Sequence, residues 1–208
     1  MVKGYSSVTS GLAFLPMIAC ILLASNLSSI VTLPRFGPRA LITTGMLLGG
    51  AAMAYLTQIS VTTSYATGVL PALIVAGLGF GSIFAPAINT ATMGVDRADS
   101  GVASALVNTG QQVGGSIGTA ALSTVALTAT TGYLALHHAG QQAAAAAAVH
   151  GYTVAFAVSA SLFGLGAILA LTLLPSRKRL AELRAATQEV AASNPVTHAQ
   201  RPAPAELA

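Results

Sequence analysis

Long apolar runs separated by short polar or basic connections set the pattern of this chain. Five candidate spans stand out: Leu12–Leu33, Ala40–Ile59, Val69–Met93, Val102–Leu127 and Tyr152–Leu174. Each is close to the roughly 20 apolar residues that carry an α-helix across a hydrocarbon core about 30 Å thick. None of the five contains Asp, Glu, Lys, Arg or His. Glycine spacing strengthens the helical reading. Gly77 and Gly81 are four apart, as are Gly110, Gly114 and Gly118, with Gly115 alongside. On a helix each set forms a stripe without side chains, along which a neighbouring helix approaches closely. In water each interior glycine costs a helix about 1 kcal/mol relative to alanine. In a bilayer the backbone has no water to turn to, so the helix persists. The predicted fold is therefore all-α, a polytopic integral membrane helical bundle. Residues 1–11 form an external segment, residues 12–174 the transmembrane bundle, and residues 175–208 a cytoplasmic tail, partly disordered.

Composition agrees. Only 7% of residues are charged and 54% are hydrophobic, where a soluble domain has roughly 25% charged. The formal charge of +4 does not indicate a nucleic-acid surface, because Arg35, Arg39, Arg97, Arg177, Lys178, Arg179 and Arg184 sit between or after apolar runs. Positive connections alternate with neutral ones. The positive-inside rule puts the Arg35 and Arg97 connections and the C-terminus in the cytoplasm, and the N-terminus outside, with Lys3 a mild dissent. The connections Ser60–Gly68 and Thr128–Gly151 then lie outside. Without a signal peptide, such a start is expected of the C-terminal part of a longer protein. Ala143–Ala148 is an alanine tract that forms a short external helix or nothing fixed.

Several chemistries are disfavoured by the residues available. Cys20 is alone in an apolar run, so neither an intramolecular disulfide nor a cysteine metal cluster is expected. His137, His138 and His150 lack a carboxylate or cysteine to complete a metal cage, and no metal or other cofactor is expected. Gly77, Gly79 and Gly81 follow no strand and so do not read as a nucleotide-binding loop. With no paired carboxylates and no Ser/His/Asp arrangement on rigid elements, the chain does not read as an enzyme.

Four motifs carry a resemblance: GYSSVTSGLAFLP at Gly4–Pro16, RFGPR at Arg35–Arg39, GLGFGSIFAP at Gly77–Pro86 and GVASALVNTGQQVGGSIGTA at Gly101–Ala120. In this order they resemble the C-terminal half of a fourteen-helix drug:proton antiporter of the major facilitator superfamily. The resemblance implies a multidrug efflux transporter of the cell membrane, with an N-terminal helical bundle beside this one and alternating access between the two. Its partners would be the lipid bilayer, a small organic substrate and protons, with no nucleic acid.

The candidate positions follow from both lines of reasoning. Asn89, Asn108, Gln111 and Gln112 are amides within apolar spans. They either hydrogen-bond between helices or line a substrate path, since an unpaired amide in hydrocarbon is costly. Gly77, Gly81, Gly110, Gly114, Gly115 and Gly118 are packing positions. Pro86 makes a fixed kink or a hinge. Arg35, Gly37 and Arg39 match the superfamily's cytoplasmic gate loop, although a stop-transfer signal explains the same charges. Asp96, Arg97 and Asp99 read as a solvated turn. A different class of function also stands: a non-transporting membrane protein, or an assembly partner that binds another subunit through its glycine faces.

Overall fold

The computed structural model describes residues 7–91, 95, 99–136, 141–174 and 179. The readings of Lys3, Asp96, Arg97, His137, His138, Arg177, Lys178, Arg184 and the end of the tail lie outside the described residues. The described part is an all-α bundle: α1 (Ser7–Ala13), α2 (Leu15–Leu27), α3 (Leu33–Leu56), α4 (Leu70–Ala91), α5 (Ser100–Leu136) and α6 (Gln141–Leu173). A wider π turn over Ser28–Thr32 joins α2 to α3, and another over Tyr65–Val69 leads into α4.

The first two expected spans are joined without a conventional loop. Helical segments long and apolar enough to cross a membrane are Val8–Leu56, Tyr65–Ala91, Ser100–Leu136 and Ala143–Leu173. At 1.5 Å per residue, the 49 residues of Val8–Leu56 extend about 70 Å, enough for two crossings. They divide at Gly37, whose φ of 78° and ψ of 166° lie in a region open essentially to glycine alone. Pro38 follows at the first position of the next helical stretch, where its missing N–H leaves no hydrogen bond unmade. The expected connection Pro34–Arg39 is thus a single reversal at Gly37 with helix on both sides.

Other boundaries also move. Helix begins at Ser7, inside the segment expected to be external. The connection expected over Thr128–Gly151 is largely helical: α5 continues to Leu136, and α6 starts at Gln141 and takes in the alanine tract. The physical reason is that alanine sustains a helix beyond the hydrocarbon, where an apolar window no longer marks its end. At about 55 Å and 50 Å, α5 and α6 exceed the roughly 30 Å core.

The packing order across the bundle is α2, α4, α3, α6, α5. Helix α4 sits between α2 and α3. Gly77 and Gly81 face α2: a Cβ at Gly77 would lie 2.5 Å from the Met17 carbonyl oxygen, and one at Gly81 would lie 2.7 Å from Ala24 Cβ and 2.9 Å from the Ser25 nitrogen. Gly79 faces α3, where an added Cβ would lie 2.8 Å from the Gly45 carbonyl oxygen and 2.9 Å from the Gly49 nitrogen. Helix α4 therefore carries two glycine seams on two faces. On α6, Phe163 fills the space beside Gly49 and Gly50 and stacks on Phe80 with ring centroids 5.8 Å apart. At the far end, Gly151 of α6 lies against Ala126 and Thr130 of α5. The turns at the end of the bundle away from Gly37 are tied by Tyr65 Oη, which donates to the Ala13 carbonyl at 2.6 Å, and by Tyr55 Oη, which donates to the Thr67 carbonyl at 2.9 Å.

Candidate functional site

Two features of the bundle bear on function: the bare face of α5, and a cleft between α2 and α3. Helix α5 turns Leu122, Val125 and Ala129 inward, and these are among its half-covered positions. The helix before them is open. Val102, Leu106 and Ile117 are 70%, 73% and 65% exposed, and no residue of α5 is buried. Asn108, Gln111 and Gln112 are exposed on this helix, among glycines. Nothing lies within 4 Å of a Cβ placed at Gly110, Gly114, Gly115 or Gly118. The helix approach expected at these glycines thus has no partner among the described residues, unlike the approach at Gly77 and Gly81.

The other sequence-derived positions fall elsewhere. Pro86 is fully buried inside α4, and the helix continues across it. Thr90 Oγ1 donates to the Pro86 carbonyl at 2.7 Å, reinforcing the turn that follows. Asn89 is exposed near the end of α4. Arg35 is exposed, Gly37 is buried at the reversal, and Arg39 is half-buried. Of the three histidines considered as metal ligands, His150 is described, and its ring lies against Tyr133 with centroids 5.2 Å apart.

The cleft has no counterpart among the sequence motifs. Because α2 and α3 both pack on α4 and meet only through the Ser28–Arg39 region, they diverge and leave a V-shaped opening of about 750 Å³. Its floor is Leu78 and Ser82 of α4, and its walls include Leu23, Leu27, Leu41 and Leu48. The polar side chains on its walls are turned back on their own helices. Asn26 Nδ2 donates to the Leu22 carbonyl at 2.8 Å, Thr44 Oγ1 to Ala40 at 2.8 Å, and Ser82 Oγ to Leu78 at 2.8 Å. This satisfies their donors within the helix and leaves the opening largely apolar. In the sequence these residues look like ordinary small polar interruptions of apolar runs. The π turn that widens the chain at Ser28 has no clear signature there.

A family model for the Major Facilitator Superfamily matches residues 1–119, which include the cleft, both glycine seams of α4 and the amides of α5. The chain belongs to the Major Facilitator Superfamily. As a superfamily member with several apolar helices of spanning length, it is a multi-pass membrane protein. It is 44% identical over 180 residues to the puromycin resistance protein pur8 of Streptomyces alboniger, covering 86% of this chain and 36% of that protein. It is 34% identical over 132 residues to the cephamycin export protein CmcT of Amycolatopsis lactamdurans, covering 63% of this chain and 27% of the relative. Similarity to the tetracenomycin C resistance and export protein of Streptomyces glaucescens is 31% over 121 residues, 58% of this chain and 22% of that one. The matched part spans about a third or less of the length of these superfamily relatives.

Proposed function

We propose that this chain forms the C-terminal bundle of a fourteen-helix, proton-coupled exporter of amphipathic organic compounds in the cell membrane, with its C-terminus in the cytoplasm. The observation that carries the proposal is the open face of α5. Amides and glycines on a membrane helix need a protein or aqueous neighbour, and a substrate path against a second bundle supplies one. Gln111, Gln112 and Asn108 would hydrogen-bond a passing solute. Gly110, Gly114, Gly115 and Gly118 would let the facing helix come close and slide. Pro86 would hold or flex α4 behind them, and Asn89 would add an amide near the end of that helix. Proton coupling requires an ionisable group inside the membrane, which α4, α5 and the membrane-depth part of α6 do not offer. The proton carrier therefore belongs to the partner bundle. Arg35, Gly37 and Arg39 form the cytoplasmic gate.

Puromycin is the first substrate to test, given the resistance protein among the relatives. The assay is puromycin accumulation in cells lacking endogenous efflux, with the longer parent protein expressed from a plasmid, before and after a protonophore. Export that is lost on proton-gradient collapse and on Gln111→Leu supports the reading. Accumulation indifferent to both contradicts it. The same unpartnered glycines favour one other reading, an assembly subunit that transports nothing by itself. A C-terminal epitope tag at the native locus separates the two. A product near the chain's own 20.7 kDa points to the subunit, and one more than twice as large points to the exporter.

A further inference from the structure

The cleft between α2 and α3 is separate from the open face of α5, and its chemistry differs. Donors at Asn26, Thr44 and Ser82 are bonded back to their own helices. The opening therefore offers a long apolar trough with little to recognise the polar groups of a drug. Within a bilayer such a trough is filled by hydrocarbon, since a void forfeits the dispersion contacts of its lining. One end gives the occupant a sign. Thr32 on its wall is followed one helical turn later by exposed Arg35, with Arg39 at the start of the returning helix.

We propose that this cleft binds an anionic glycerophospholipid, with one acyl chain lying between α2 and α3 over Leu78 and its phosphate held at Arg35 and Arg39. The inner-leaflet placement rests on the topology proposed above. A flexible chain fits a V-shaped slot about 750 Å³ in volume. The guanidinium groups match a phosphate both in charge and in paired hydrogen bonds. Ser28, buried within the π turn, also lines the slot.

The test is native mass spectrometry of the full chain released from nanodiscs containing equal phosphatidylglycerol and phosphatidylcholine. Retained phosphatidylglycerol should exceed phosphatidylcholine by roughly thirtyfold, the order expected of two arginines acting on one anionic headgroup. Arg35→Gln with Arg39→Gln should abolish that preference while a lipid is still retained. Thr44→Trp, which fills the slot, should remove retention of both lipids. Circular dichroism and monodisperse elution confirm folding, and the arginine variant stays informative if the tryptophan variant fails to fold. Equal retention of the two lipids by the unmodified chain would overturn the proposal. So would displacement of the lipid by an exported drug, or a lipid-free dimer whose second copy fills the slot. Puromycin export is measured separately, so loss of the lipid site leaves the exporter reading standing, and loss of export leaves the lipid site standing. Labelling of Phe36→Cys only from the cytoplasmic side checks the shared topology.

Discussion

Replacing Gly81 with alanine adds one methyl group where two helix backbones meet. The added Cβ would lie 2.7 Å from Ala24 Cβ and 2.9 Å from the Ser25 nitrogen, with the Ile21 carbonyl oxygen closer still. Ordinary contact begins at 3.4 Å, so α2 and α4 must separate by roughly 0.7 Å or more along this seam. Backbone atoms cannot rotate away as a side chain does, and the opposite face of α4 is fixed by the Gly79 seam on α3. Overpacking of this kind costs about 1–3 kcal/mol. For a chain of this length that corresponds to a fall of about 2–10 °C in the thermal midpoint, taking soluble-domain scaling as a guide. The matched control is Gly114→Ala, which meets nothing within 4 Å. Both variants make the same chemical change in a membrane helix, so lipid and propensity effects largely cancel between them. Thermal denaturation in detergent, followed by fluorescence-detected size exclusion, should show a lowered midpoint for Gly81→Ala and little change for Gly114→Ala. Equal midpoints would refute the seam.

Further predictions address the turn, the bare face and the topology. Gly37→Ala should destabilise the chain by about 1–3 kcal/mol because alanine is excluded from the φ and ψ that Gly37 adopts. Thermal denaturation should show this loss, with Gly101→Ala unaffected. Gly114→Leu or Gly115→Leu in a longer parent should abolish drug efflux at normal expression while leaving this chain folded, and unchanged efflux would contradict the proposed helix approach. In a Cys20→Ala background, a membrane-impermeant maleimide should label Ser60→Cys on intact cells and Phe36→Cys only after permeabilisation. The reverse pattern would invert the topology. Phe163→Ala, which empties the space beside Gly49 and removes the stack on Phe80, should loosen α6 and lower the thermal midpoint by a few degrees.

The spans were legible because a bilayer crossing demands a long apolar run, which the sequence records directly. Their ends were less so. Residues such as Thr128 and Ala143 permit helix both inside and outside hydrocarbon, so an apolar window cannot mark where α5 stops or α6 begins. Gly77 and Gly81 were readable as one stripe from their spacing of four. The second seam, Gly79 with Gly45 and Gly49, was not, because it depends on which face of α4 meets α3. The amides of α5 were conspicuous as polar groups within an apolar run, whereas Asn26, Thr44 and Ser82 are separated in sequence by up to 56 positions. Only the shared packing of α2 and α3 on α4 brings them to one cleft.

The reversal at Gly37 also bears on how the protein is made. Two apolar spans joined by one bend leave only the short Pro34–Arg39 stretch, with its two arginines, between two insertion events. We expect α2 and α3 to leave the translocon together and to be drawn into one bundle only when α4 is made, since their close contacts are with α4 rather than with each other. A nascent-chain force profile would then show one broad pull across Val8–Leu56, and a flexible hydrophilic linker inserted after Gly37 should split it into two.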